Sequence, residues 1–95
     1  MKAALIFRLK HELDDGAIVE MLIWRVPRRV PGSAHDFKYR LYFGRGGRRL
    51  VGYDNERGKG DHRHVRGREF IYRFKSPEQL VADFLADVEG ARRRR

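Results

Sequence analysis

Cysteine is absent from this 95-residue chain. That excludes disulfide staples, thiolate catalysis and cysteine-held zinc. It also argues against a small secreted scaffold, which at this size leans on disulfides. Long apolar runs are missing too. Met1-Lys2-Ala3-Ala4-Leu5-Ile6-Phe7 begins like a signal peptide, but Arg8 and Lys10 interrupt it. Nothing approaches the ~20 apolar residues of a membrane span. These gaps lead by elimination to an expected cytoplasmic location and no membrane partner. Neither the phosphate-cradling Walker pattern nor the dinucleotide glycine fingerprint occurs, so nucleotide enzymes of those classes lack support.

What is present is a modest core and a large positive charge. The hydrophobic fraction is 41%, enough to fold one domain. We assign residues 1–90 to a single α+β domain and 91–95 to a basic tail. The net charge is +9, unevenly spread. Lys38 to Lys75 holds 12 basic and 4 acidic residues, whereas residues 1–37 hold 6 and 5. The middle of the chain is therefore the electropositive part, and such a field attracts polyanions. A soluble surface that is merely basic is the bland alternative.

Hydrophobic periodicity predicts the elements. Ala3–Leu9, Ala17–Val26 and Phe37–Phe43 alternate as strands, with Asp14-Asp15-Gly16 as a hairpin turn between the first two. Pro27 and Pro31 end the second strand. Arg49–Tyr53 reads as a short fourth strand and Glu69–Phe74 as a fifth; the polar, glycine-rich Asp54–Gly67 between them reads as a loop. Ser76, Pro77 and Gln79 form a helix start, and Leu80, Val81, Phe84, Leu85 and Val88 then recur at helical spacing. Gly90 is placed to close that helix, leaving Arg92 to Arg95 as a frayed end. The expected fold is an antiparallel sheet of four or five strands with a C-terminal helix packed on one face. Leu80, Phe84, Leu85 and Val88 are expected to face the sheet.

Chemistry concentrates between Asp54 and His64. Metal-independent RNA cleavage needs a base for the 2′-hydroxyl proton, an acid for the leaving 5′-oxygen, and cations for the phosphorane charge. His62 and His64 are the candidate base and acid, Asp61 or Glu56 the residue orienting one of them, and Arg57 and Lys59 the ligands of the scissile phosphate. Arg40, Arg49 and Arg63 are candidate RNA contacts, with Tyr42 and Tyr53 as stacking platforms. Phe37, Phe43 and Phe74 are read as core. Two other uses of the segment compete with cleavage. Asp61, His62 and His64 offer metal ligands, set aside because neighbouring cations repel a divalent ion. Glycine-rich backbone with Arg and Lys can also hold phosphate without chemistry. The reading requires no metal and no cofactor.

These residues resemble the TumE-type toxins of prokaryotic toxin–antitoxin pairs. The resemblance rests on Asp15-Gly16-Ala17-Ile18, on Ile23-Trp24-Arg25 with the prolines after it, on Lys38-Tyr39-Arg40-Leu41, on Val51 to His64, and on Phe84-Leu85-Ala86-Asp87-Val88. The arginine tail lies outside it. The resemblance implies a growth-halting toxin neutralised by a co-encoded antitoxin, a helix-turn-helix DNA-binding protein. It carries no catalytic assignment; the ribonuclease expectation comes from the residues and from what small basic toxins commonly do. A non-catalytic nucleic-acid-binding module and a protein-interaction subunit are the alternatives. The sequence leaves self-association into a homodimer open.

Overall fold

Alternation of apolar and polar residues, broken at glycine turns, folds most of this chain into one sheet. The computed structural model describes residues 2–93. Its strands are β1 (Ala4–Glu12), β2 (Ile18–Arg25), β3 (Phe37–Arg45), β4 (Arg48–Glu56), β5 (Gly60–Val65) and β6 (Arg68–Ile71), followed by helix α1 (Pro77–Arg93). The sheet is an antiparallel meander in the order β1-β2-β3-β4-β5-β6. The α+β class and the helix-on-sheet layout are as the sequence predicts.

The strand count differs, and the difference lies at the expected loop. Asp54–Gly67 is not irregular: it holds the end of β4, all of β5 and two tight turns. Its polar composition conceals a ladder whose backbone groups pair with strands on both sides. Arg66 and Gly67 both have positive φ, 56° and 76°, and close the β5–β6 hairpin. Tyr72–Phe74, expected to continue the last strand, has already left the sheet.

The two faces have different fates. Val19, Met21 and Ile23 of β2, Tyr39, Leu41 and Phe43 of β3, and Val51 and Tyr53 of β4 share one buried face. Helix α1 completes that core with Leu80, Phe84 and Val88, spaced one turn apart. Its start is as expected: the Ser76 hydroxyl accepts a hydrogen bond from Gln79 N at 3.0 Å. Two helix expectations fail. Leu85 is 44% exposed, because it sits a turn's fraction away from the Leu80–Phe84–Val88 stripe. Gly90 does not end the helix, which continues to Arg93, so Arg92 and Arg93 are helical. The remaining arginines, Arg94 and Arg95, lie outside the described residues. Of the aromatics expected in the core, Phe43 is fully enclosed, while Phe37 and Phe74 pack partly buried against it.

The acidic side of α1 is used, not merely solvated. Tyr53 donates its hydroxyl hydrogen to Asp87, and Tyr72 donates to Asp83 at 2.6 Å. Tyr53 meets Tyr72 and Phe84 edge-on, with ring centroids 4.9 and 5.8 Å away. Tyr53 is therefore a core residue, 1% exposed, and is not available to stack a base as expected.

Phe84→Ala should cost roughly 3–5 kcal/mol, since it empties the centre of the helix–sheet contact. Chemical denaturation of the variant against the parent checks this, with an unchanged midpoint placing the helix elsewhere. A second expectation concerns alkaline pH. Burial, reinforced by hydrogen bonds to Asp61, Asp87 and Asp83, raises the pKa of Tyr39, Tyr53 and Tyr72. In the unfolded chain these phenols ionise near pH ~10. The folded state holds their protons longer, so stability is intact below that pH and falls as pH rises above it. Phenolate absorbance should then climb in step with loss of the helical signal.

Candidate functional site

Among the described residues no helix covers the face of the sheet away from α1. Cross-strand pairing lays its side chains in rows. One row runs Arg8, Leu22, Arg40, Asp54, His62 and Ile71; the next runs Lys10, Glu20, Tyr42, Gly52, His64 and Glu69. His62 and His64 thus stand side by side on β5, flanked by Asp54 of β4 and Glu69 of β6. Their rings meet edge to face at 5.4 Å between centroids.

Carboxylates flank the imidazoles. His62 Nε2 lies 2.7 Å from Asp54 Oδ1 and 3.5 Å from Glu69 Oε2; His64 Nε2 lies 3.9 Å from the same Glu69 oxygen. The other ring nitrogen of His62, Nδ1, is 3.2 Å from the Gly60 carbonyl, which can only accept. That bond puts a hydrogen on Nδ1 and aims Nε2 at the carboxylates. The side chain of His62 is 5% exposed and that of His64 20%, so His64 is the more open imidazole.

Next to this group lies a shallow pocket of about 260 Å³ lined by Arg40, Leu41, Tyr42, Arg49, Gly52 and Asp54. Gly52 makes room for it. A Cβ there would come within 2.7 Å of Arg49 Cδ, so a larger residue would push the flexible Arg49 side chain off the strand. Arg40 and Arg49 are exposed, and among the described residues neither has an ion-pair partner. Asp54 belongs to both the pocket and the histidine group.

The structure divides the residues singled out from sequence. It brings together His62, His64, Arg40, Arg49 and Tyr42 on the open face. Glu56 stands on the same face, with a carboxylate oxygen within 4.8 Å of the Asp54 and His62 ligand atoms. Arg57 and Lys59 sit exposed at the tip of the β4–β5 turn. Asp61 and Arg63 lie on the opposite face, because successive strand residues point in opposite directions. Arg63 donates to Asp87 at 2.9 Å and to the Tyr53 hydroxyl at 3.3 Å, and that tyrosine contact raises its pKa. It fastens the helix rather than standing free for RNA. Asp54 and Glu69 were missed as partners of the histidines. The signal was the alternation of Asp61-His62-Arg63-His64-Val65, hidden because both faces of β5 are polar.

Asp61 anchors a second, buried polar network. It accepts from the Ser33 hydroxyl at 2.5 Å and the Tyr39 hydroxyl at 2.7 Å, with His35 Nε2 at 2.6 Å. His35 Nδ1 accepts from Phe37 N–H, which assigns the hydrogen to Nε2 and makes it the donor to Asp61. The His35 ring stacks on Phe74 at 3.8 Å between centroids. Together with Gly58 N–H donating to the Pro31 carbonyl, these bonds tie the Val26–Asp36 connection onto the β4–β5 hairpin. Gly32 and Gly60 touch there so closely that a Cβ on Gly32 would lie 2.8 Å from Gly60 N. Asp61 is thus a structural anchor and orients neither His62 nor His64.

Asp61→Ala should lose at least about 1–3 kcal/mol, because it leaves the Ser33, Tyr39 and His35 donors facing a void. Thermal melts check this. A loss near zero would show that the β2–β3 connection does not depend on Asp61.

Among the described residues no helix is long and apolar enough to cross a membrane. Compared with known proteins, residues 2–92 match the family described as Toxin TumE. No curated protein and no solved structure matches. The match spans nearly all of the chain, including both faces of the sheet and the helix, and a toxin of this kind has a cognate antitoxin as its partner. The chain therefore belongs to the TumE family and is the toxin component of a toxin–antitoxin system.

Proposed function

We propose that this toxin halts growth by cleaving RNA without a metal, using the histidines of the open sheet face. The observation that carries the reading is the grouping of His62 and His64 with Asp54 and Glu69, beside Arg40 and Arg49, which form no ion pair among the described residues. One imidazole takes the 2′-hydroxyl proton, the 2′-oxygen attacks phosphorus, and the P–O5′ bond breaks as the other imidazole protonates O5′. The products are a 2′,3′-cyclic phosphate and a 5′-hydroxyl. Imidazole suits both steps because its ordinary pKa lies near ~6.5. His64, the more open ring, meets the RNA first, and His62 works from between Asp54 and Glu69. Arg40 and Arg49 hold the nonbridging oxygens, Tyr42 borders the same pocket as a base platform, and Arg57 and Lys59 reach the RNA backbone from the hairpin tip. Its site of action is the cytoplasm. The antitoxin in this reading is a helix-turn-helix DNA-binding protein, and a homodimer is compatible with the free edge strands β1 and β6.

The burial of His62 favours one other reading, in which the histidines are structural and the face only binds nucleic acid. Turnover separates the two. Induced in cells, the toxin should generate new RNA 5′ ends bearing hydroxyls. His64→Ala should abolish most of them while the protein stays folded and still binds its antitoxin. Full toxicity in the His62→Ala, His64→Ala double variant would eliminate cleavage by these residues. Binding should also depend steeply on salt, log affinity falling with log salt at a slope of about −0.7 per phosphate neutralised on a single strand. Arg40→Gln and Arg49→Gln should each flatten that slope by about 0.7. Arg63→Gln should not, because Arg63 is engaged by Asp87 on the other face.

A further inference from the structure

We propose that His62, His64 and Glu69, with Asp54 adjoining, form a binding site for a divalent transition ion of the zinc class. The proposal does not rest on the ribonuclease reading, since it concerns what the site holds and not what it cleaves.

Three observations carry it. First, the donor atoms converge. The ring nitrogens of His62 and His64 and a Glu69 oxygen all lie within 4.8 Å of one another, and Asp54 Oδ1 adjoins His62 Nε2. Around a tetrahedral zinc with bonds of about 2.0–2.1 Å, donor atoms sit roughly 3.3 Å apart. The His62–Glu69 and His64–Glu69 separations, 3.5 and 3.9 Å, are close to that.

Second, His62 is prepared as a ligand. Its Nδ1–H is spent on the Gly60 carbonyl, the arrangement that turns the Nε2 lone pair of a neutral imidazole toward a metal. The residue is 4% exposed, so little water competes for that lone pair.

Third, an acceptor is left over. Asp54 Oδ1 is enclosed and has no hydrogen-bond partner, although His62 Nε2 lies 2.7 Å away; the approach is not aligned as a hydrogen bond. A carboxylate oxygen facing an imidazole lone pair is repulsive unless a cation or a proton lies between them. Two carboxylates also supply the charge to neutralise a divalent ion despite the nearby arginines. The imidazoles select zinc-class ions over magnesium and calcium, which prefer all-oxygen donors.

A metal here uses the same Nε2 lone pairs that proton transfer needs. Occupancy and acid–base use of these histidines therefore exclude each other, and a bound ion holds the cleavage site shut.

The test is titration of the chelator-treated full-length chain with Zn²⁺, followed by calorimetry and by the histidine ¹⁵N signals. One ion per chain should bind, with the Nε2 resonances of His62 and His64 shifting together. His64→Gln and Glu69→Gln should each weaken binding about tenfold or more. Both positions are partly exposed, so these variants keep the fold, as melting curves can verify. His11→Ala, on β1 and remote from the site by register, should bind like the parent. No binding, or equal binding by all variants, overturns the proposal. RNA cleavage is a separate arm. Zinc binding with loss of turnover supports the exclusion argued above. Zinc binding without any turnover, metal present or absent, leaves the site standing and removes the ribonuclease reading. Turnover that requires zinc also leaves the site standing, and overturns both the exclusion and the metal-free mechanism.

Discussion

Everything else in this molecule depends on the pairing of β5 with β4. Six residues, Gly60–Val65, must send alternate side chains to opposite faces of the sheet. Asp61 and Arg63 go to the core side, His62 and His64 to the open side. A slip of one residue would exchange the two sets and ruin both. The register is held by polar anchors rather than apolar ones. Asn55, 1% exposed, accepts from Tyr39 N–H through its side-chain oxygen and donates to the Phe37 carbonyl. Asp61, its cross-strand partner, gathers Ser33, His35 and Tyr39. Buried polar groups satisfied in this way cost little and fix one arrangement.

That division also sorts the charge. The middle of the chain carries most of the positive excess, yet not all of it is available to a polyanion. Arg63 is neutralised by Asp87, and Asp83 is taken by Tyr72. The acidic side of α1 thus meets the polar groups of the core face, while among the described residues Lys38, Arg40 and Arg49 form no ion pair on or beside the other. An antiparallel sheet can leave one face solvated, as a parallel sheet seldom does. Here the solvated face mixes both signs, with Arg8, Lys10, Lys38 and Arg40 standing on the same face as Glu20, Asp54 and Glu69.

Local chemistry made the helix and the first three strands legible. Ser76-Pro77 and the Leu80–Phe84–Val88 spacing leave few alternatives, and Phe37–Phe43 alternates cleanly. β5 was not legible because its alternation is polar against polar: one set of residues satisfies buried partners and the other builds the site. Hydrophobic periodicity has no contrast to detect there, and composition alone reads as loop. Tyr53 misled for a related reason. A tyrosine beside basic residues can stack a base or bury its ring and spend its hydroxyl, and only the Asp87 hydroxyl acceptor on a distant helix decides between these. Of the candidate site, the two histidines and the arginines at 40 and 49 were readable as residues. Their carboxylate partners were not, since Asp54 and Glu69 approach from neighbouring strands.

The open face presents an energetic inversion. Stability favours burying apolar groups and leaving ionisable ones in water. On this side of the sheet Ile71 is 88% exposed, while His62, one strand away and directly paired with it, is 4% exposed. Enclosing an imidazole against two carboxylates, one with an unpartnered oxygen, is unfavourable unless a cation completes the set. A proton on His62 is the smaller cation and a divalent metal the larger. Both bring positive charge to the same gap between β4 and β6. That incomplete polar cluster sits on the face that α1 leaves open. The apolar packing that offsets it, under α1, lies wholly on the other side of the sheet.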